Sequence, residues 1–316
     1  MVGRNPSIDL IKVIAMFMIV AMHTNIDSII KEDVFTRFVG SSCGIAIPLF
    51  FMVNGFLVSS KDVNFNYIGK KIFGISKFVI QIIAIFLVMR YLIEDKASIS
   101  DLYLWFIQKG SFWYFWFLGA MIILYLLSPL LNRIIHSKIA YYCLGVLVFF
   151  CFVAFVLNVF YGFEQNMIQT FLIWEWCMFY ITGGLIRVKY ESNTLPKVSM
   201  WLLLLIIILY RFLYSLCGIG NQFLFGSGLC LFYSFILFVL ILRLKVPKCY
   251  TGGGKYFLPV YTFHIGIVHF LSQASMFTDF PPLIQYVLYF VVVSFFSILV
   301  SYILLRTHIG SYLFKL

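Results

Sequence analysis

Charge is what this sequence has least of: charged residues fill 11% of its 316 positions, with 12 Asp and Glu against 23 Lys and Arg. So few charges cannot cover a water-facing surface, which excludes an ordinary soluble globular domain. Polar stretches are equally scarce. Apolar runs of about 20 residues, enough to cross roughly 30 Å of hydrocarbon, follow one another from Ile8 to Leu305. No gap between them holds a separate soluble domain, and the chain reads as a single membrane domain over residues 1–316. Its cysteines (Cys43, Cys143, Cys151, Cys177, Cys217, Cys230, Cys249) form no Cys-x-x-Cys pair and have no His beside them at zinc spacing, so they read as small buried apolar residues and no metal centre is expected. There is no repeat of the length that marks solenoids, and no inverted symmetry of the kind many transporters show. A basic soluble surface is missing as well, so the net charge of +11 does not point to nucleic acid. No small-residue cleavage pattern follows the first apolar run, which carries Asp9 and Lys12 and is expected to stay in place as a first span.

What is present is hydrophobic, at 63% of positions. Apolar runs between charge clusters predict an all-α, polytopic bundle of about ten spans, near 8–25, 41–58, 72–92, 112–131, 140–160, 167–186, 198–217, 223–242, 256–276 and 283–305. Pro129, Pro281 and Pro282 fall near span ends, whereas Pro48 and Pro259 fall within spans, where they are expected to free backbone carbonyls. The connecting segments alternate in charge. One set carries Arg4, Lys61, Lys70, Lys71, Arg133, Lys138, Arg187, Lys189, Lys197, Arg243, Lys245, Lys248, Lys255, Arg306 and Lys315. The other carries few basic residues beside Asp27, Glu32, Asp33, Glu94, Asp95, Asp101, Glu164 and Asp279. The excess of Lys and Arg places the first set, and with it both termini, in the cytoplasm, with anionic headgroups of the bilayer as its partner.

Ionisable groups within a bilayer are costly and are functional candidates by default. Lys12 and His23 stand eleven residues apart, three helical turns plus about 20°, so they share a face roughly 16 Å apart along the axis. Asp9 precedes Lys12 by three residues and can pair with it. Imidazole is suited to taking and returning a proton near neutral pH, as general acid–base catalysis requires. The alternative, open at this level, is that Lys12 and His23 snorkel to opposite surfaces. Arg90 at the outer end of the third span, Glu175 in the outer half of the sixth and Arg211 in that of the seventh can meet His23 at one depth, either around an anionic group or as a structural ion pair. His264 lies in the ninth span, and His269 nearly repeats its face. Their spacing is a poor metal site, and helix-to-helix hydrogen bonding is expected of His269.

Several segments together resemble the bacterial acyltransferase-3 family of membrane O-acyltransferases. Asp9-Leu10-Ile11-Lys12, then ten residues and His23, is similar to that family's first-helix pattern of a basic residue, ten residues and His. Phe50-Phe51-Met52-Val53-Asn54-Gly55-Phe56-Leu57 resembles its Phe-Phe-x-x-Ser-Gly-x-Leu motif, and Lys70-Lys71 follow where the family carries basic residues. Trp116-Phe117-Leu118 with Tyr125-Leu126-Leu127-Ser128-Pro129, and later Tyr261-Thr262-Phe263-His264, resemble further family segments in family order. Two positions depart: Lys12 stands where Arg is common and Asn54 where Ser is common. Both keep hydrogen-bonding capacity, though Lys offers phosphate a point charge rather than a bidentate fork.

The resemblance implies transfer of a short acyl group, acetyl first, from cytoplasmic acyl-coenzyme A to a hydroxyl of a surface glycan or lipid-linked sugar in a bacterial plasma membrane. It requires no bound cofactor and no metal, the coenzyme A thioester being a co-substrate. Carried onto this chain, it makes His23 the base or transient acyl carrier and has Lys12 orient the donor. Lys70 and Lys71 would bind the donor, and Asp9, Asn54, Arg90, Glu175, Arg211 and His264 the substrates. A polytopic transporter or flippase of a polysaccharide precursor is the competing class; it accounts for the spans but gives no reason for the basic-x10-His spacing.

Overall fold

The computed structural model describes residues 5–24, 34–94, 100–162, 167–195, 199–216, 228–244, 246–274, 276–277 and 279–314. Among these every regular element is a helix: α1 (Pro6–Thr24), α2 (Val34–Cys43), α3 (Ala46–Val58), α4 (Phe65–Glu94), α5 (Asp101–Leu104), α6 (Trp116–Ile135), α7 (Ala140–Tyr161), α8 (Ile173–Glu191), α9 (Met200–Leu216), α10 (Gly228–Arg243), α11 (Phe257–Gln273), α12 (Pro282–Arg306) and α13 (His308–Leu313). Among the described residues six stretches are long and apolar enough to cross a bilayer: Pro6–Thr24, Val34–Val58, Phe65–Val88, Trp113–Ile135, Ala140–Asn158 and Pro282–Arg306. The other four expected spans are helices too. Of these, α9, α10 and α11 are 17, 16 and 17 residues long, and α8 carries Glu175, Arg187, Lys189 and Glu191. The chain is a multi-pass helical membrane protein. Only 17% of the Ala140–Asn158 window is buried, and α7 turns Phe149 and Phe152 outward, as a lipid-facing helix does.

Proline decides where several helices begin. Asn5 caps α1 through Oδ1, which accepts the Ser7 N–H at 3.0 Å, and Pro6 occupies the first helical position, where no N–H is needed. Pro282 opens α12 in the same way, as expected. Pro48 breaks the helical bonding within the Val34–Val58 span, as expected, whereas Pro259 does not interrupt its helix. Pro48 clashes with a helical carbonyl four residues back, and the chain accordingly breaks between α2 and α3 at Gly44–Ile45. Pro259 sits in the first turn of α11, after a 3₁₀ turn over Gly253–Tyr256. Pro129 reverses its expectation: it lies inside α6, which continues to Ile135. The Tyr125 carbonyl that Pro129 cannot bond is taken by the Ser128 hydroxyl, which donates to it at 2.6 Å.

Two compact units form, residues 1–53 with 194–310 and residues 54–193 with 311–316. In the first, α1 packs against α2, α10, α11 and α12. In the second, α6 packs against α4 and α8, and α7 against α8.

Candidate active site

In the first unit, α1 runs unbroken from Pro6 to Thr24, so the eleven-residue spacing keeps Lys12 and His23 on one face, with His23 in the last turn. That end of α1 is held from outside the helix. The Ala21 carbonyl, one of the C-terminal carbonyls with no partner within the helix, accepts the Tyr286 hydroxyl of α12 and the Thr24 hydroxyl, each at 3.0 Å. His264 of α11 faces His23, with ring centroids 5.1 Å apart at 50°. His264 is wholly buried, and its Nδ1 lies 2.9 Å from the Tyr261 carbonyl and 3.1 Å from that of Val260. A carbonyl only accepts, so Nδ1 is the protonated, donating nitrogen. A run of rings, Phe50 to Phe257 at 3.8 Å, Phe257 to Tyr261 at 5.6 Å and Tyr261 to His264 at 6.0 Å, leads up to this pair. Between α1 and α11 is a narrow apolar crevice too small to hold a water molecule, lined by Met16, Ile19 and Val20 and reaching His264.

The opposite end of α1 meets the glycine-rich turn Thr251–Lys255. Asp9, only 2% exposed, accepts the Gly252 N–H at 2.8 Å through Oδ2. Gly254 lies against both Asp9 and Lys12: a Cβ there would stand 2.8 Å from Asp9 Oδ1 and 2.9 Å from Lys12 Cδ. The absence of a side chain lets the loop close on the first turns of α1 and fixes the carboxylate beside the lysine stem. The arrangement brings the α1 N-terminal end and the basic Lys248–Lys255 segment to the same end of this unit, as their shared charge sign led one to expect.

In the second unit residues from two of the family-like segments meet in a polar cluster. Tyr125 of α6 donates its hydroxyl to Asn54 Oδ1 at 3.0 Å, and Tyr180 of α8 donates to Asn132 Oδ1 at 3.3 Å. Asn132 Nδ2 and His136 Nε2, one turn apart on α6, donate to the Val58 and Ser59 carbonyls at 3.1 and 2.8 Å, capping the end of α3. Tyr67 of α4 approaches the Tyr125 ring at 6.5 Å, and Lys71 lies one turn along the same face.

A sequence model described as an acyltransferase domain matches residues 5–306. The chain belongs to this acyltransferase family. Among curated proteins, an amino-acid racemase of Enterococcus faecalis is 31% identical over 153 residues, a match covering 43% of this chain and 21% of that protein. The chain thus spans about a fifth of the length of the curated relative it matches. No solved structure matches it significantly.

The predicted site residues fall in both units. His23, His264, Lys12, Asp9 and Arg211 fall in the first unit, and Asn54, Lys70, Lys71, Arg90 and Glu175 in the second. Lys71 is half-buried on the face of α4 that carries Tyr67, whereas Lys70 is exposed. Glu175 is fully buried in the first turn of α8, a place where a helix favours negative charge. Arg211, half-buried on α9, is in electrostatic reach of the buried Tyr233 of α10. The side chain of Arg90, near the end of α4, lies outside the described residues, as does Cys217. His269 corrects its expectation: five residues turn it well away from His264, and it is exposed and bonded to Gln273 of its own helix at 3.0 Å. Lys77, another ionisable residue within an apolar run, sits 3.5 Å over the Tyr312 ring.

Sequence reasoning missed the Gly252-Gly253-Gly254 turn and the Asn132/His136 cap. The first was signalled by three consecutive glycines ahead of a helix; the second by two polar residues at i, i+4 spacing late in an apolar helix.

Proposed function

We propose that this acyltransferase moves a short acyl group, acetyl first, from acyl-coenzyme A to a hydroxyl of a surface or lipid-linked glycan. In this reading it works as a single domain in a bacterial plasma membrane, with both termini in the cytoplasm. The observation that carries the reading is the family match over residues 5–306 combined with the placement of His23 at one end of α1 and Lys12 toward the other. The chemistry follows from that placement. His23 takes the proton of the acceptor hydroxyl as its oxygen attacks the thioester carbonyl. The carbon–sulfur bond then breaks, and the proton passes from His23 to the leaving thiolate. Lys12, beside the glycine-rich turn, holds the anionic part of the donor, with Lys70 and Lys71 adding positive charge along its approach. Asn54, Arg90, Glu175, Arg211 and His264 shape the acceptor side, and Asp9 steadies Lys12. No bound cofactor or metal is required. The racemase named for the Enterococcus faecalis protein is not carried over, because the match reaches only 21% of that protein.

The test is the O-acyl content of surface glycans, measured by mass spectrometry in a strain lacking the protein and complemented with wild type or His23→Ala at matched membrane levels. Restoration of one acyl mass increment by wild type alone supports the reading and identifies the group. Glycans unmodified in every strain but altered in surface amount would replace it with transport.

A further inference from the structure

We propose that Arg37 and Arg211 form an anion site for the phosphate or diphosphate of a lipid-linked sugar, at the end of the first unit where His23 lies. The inference rests on the acyl-transfer reading and deepens it: it narrows the acceptor to a sugar carried on a lipid phosphate and adds Arg37 to the residues that hold it. Arg37 is the one charged residue of α2, and Arg211 the one charged residue of α9. A lone cation on an apolar helix needs either a partner or a route to water. A snorkelling arginine carries its head out to the aqueous boundary. Here the Nε of both residues is fully buried and, among the described residues, has no hydrogen-bond partner. Each guanidinium therefore keeps an orphaned, charged donor inside the protein, which is costly unless an anion takes it.

Both arginines belong to one interface. α2 packs along α9, and Phe38 meets Phe212 edge to face with ring centroids 5.9 Å apart. Each of these rings directly follows an arginine in the chain, so the two side chains leave neighbouring turns of helices whose axes are about 8–10 Å apart. Arg211 is also in electrostatic reach of Tyr233 on α10, which packs against α9. The place of the pair along α1 follows from Tyr286. Its hydroxyl bonds the Ala21 carbonyl, two residues before His23, and its ring meets that of Phe35, two residues before Arg37, at 6.0 Å. The pair therefore lies at the His23 end of α1, opposite to the Lys12 end that the proposed reading gives to the donor. Depth selects the kind of anion. Arg37 is in the first turn of the Val34–Val58 span and Arg211 is five residues before the end of α9, close to where the phosphate of a bilayer-anchored lipid lies. Each guanidinium offers Nε–H and an Nη–H as a fork to two phosphate oxygens, a match in charge and shape that a neutral sugar hydroxyl lacks. A phospholipid headgroup shares this chemistry, so the two lipids have to be set against each other.

The experiment uses the full chain purified in a neutral maltoside detergent, with farnesyl diphosphate as the probe and phosphatidylglycerol as the competing bilayer lipid. Wild type is expected to bind farnesyl diphosphate and to keep it against about a tenfold excess of phosphatidylglycerol, and Arg37→Gln and Arg211→Gln are each expected to raise its Kd about tenfold or more. Displacement by phosphatidylglycerol assigns the arginines to bilayer headgroups and overturns the inference. Failure of farnesyl diphosphate to bind, as a carboxylate of residues 25–33 already held by Arg37 would cause, overturns it as well, and so does binding that neither variant weakens. Because either variant can fail to fold, wild type is also treated with phenylglyoxal, and modification of Arg37 and Arg211 is followed by mass spectrometry. Farnesyl diphosphate is expected to protect both arginines, and unchanged modification overturns the inference. These readouts do not depend on acyl transfer. If wild-type vesicles incorporate no label from ¹⁴C-acetyl-coenzyme A while farnesyl diphosphate still binds through the arginines, it is the acyl-transfer reading that fails, and the anion site stands.

Discussion

In the proposed reading, Lys12 is the residue whose role separates donor binding from chemistry. It lies near one end of α1, its stem against Gly254 and its neighbour Asp9 tied to the Gly252 N–H at 2.8 Å. Lys12→Ala is expected to raise the KM for acetyl-coenzyme A about tenfold or more, the worth of one contact to a charged group, while leaving kcat within a few-fold of wild type. Steady-state rates in membrane vesicles at varied donor concentration decide it, and a loss confined to kcat would move Lys12 into the chemical step. At this scale much was legible from the sequence. Lys12 and His23 could be placed on one helix face because a continuous apolar run leaves little freedom of phase. The approach of His264 to His23 was not legible, since no local pattern records which helix packs on which. The expected meeting of Arg90, Glu175 and Arg211 with His23 rests on span depth read from the sequence.

Among the helices, motif residues resolve into packing devices. Gly55 lies in α3, where an added Cβ would overlap the carbonyl of Tyr180 in α8. That clash is with backbone and cannot be relieved by a rotamer change, so Gly55→Ala is expected to destabilise the second unit by about 1–3 kcal/mol or more. Thermal retention of the monodisperse protein in detergent measures the loss, and an unchanged midpoint would show that the two helices can move apart freely. The Ser128–Pro129 pair makes a second case. Ser128→Ala removes the donor to the Tyr125 carbonyl, a loss of about 1 kcal/mol, and adding Pro129→Ala is expected to restore stability because Ala supplies the missing backbone N–H. Non-rescue in the double variant would mean that Ser128 serves something other than the carbonyl. The proline positions also show where the sequence reading fell short. Hydropathy marks the apolar stretch, but whether proline opens a helix, as Pro48 and Pro259 do, or is accommodated inside one, as Pro129 is, depends on whether a side chain takes over the orphaned carbonyl.

For the whole molecule, the distribution of Lys and Arg is the quantity to test, because in the proposed reading it marks the side that supplies the donor. Cys249 is an exposed free thiol in the Lys248–Tyr250 turn, within the basic set of segments. A membrane-impermeant maleimide is expected to label it in inverted vesicles and not in intact cells, with a Cys249→Ser variant identifying the signal. Labelling in intact cells would invert the topology and with it the side from which coenzyme A enters. The all-helical class was legible because hydrocarbon permits so few alternatives for an apolar chain. The number of spans was less so, since α8 to α11 are short or charged and their relation to the bilayer depends on packing rather than on composition.

The central claim is that His23 drives acyl transfer from a coenzyme A thioester. It is tested most directly by supplying ¹⁴C-acetyl-coenzyme A to inverted vesicles containing wild type or His23→Ala at equal levels and counting alkali-labile label in the glycan and lipid-linked fractions. The account predicts time-dependent labelling by wild type and a rate about 10²–10⁴-fold lower for His23→Ala. Equal labelling by the two would remove His23 from the chemistry, and no labelling by wild type above protein-free vesicles would contradict the account as a whole.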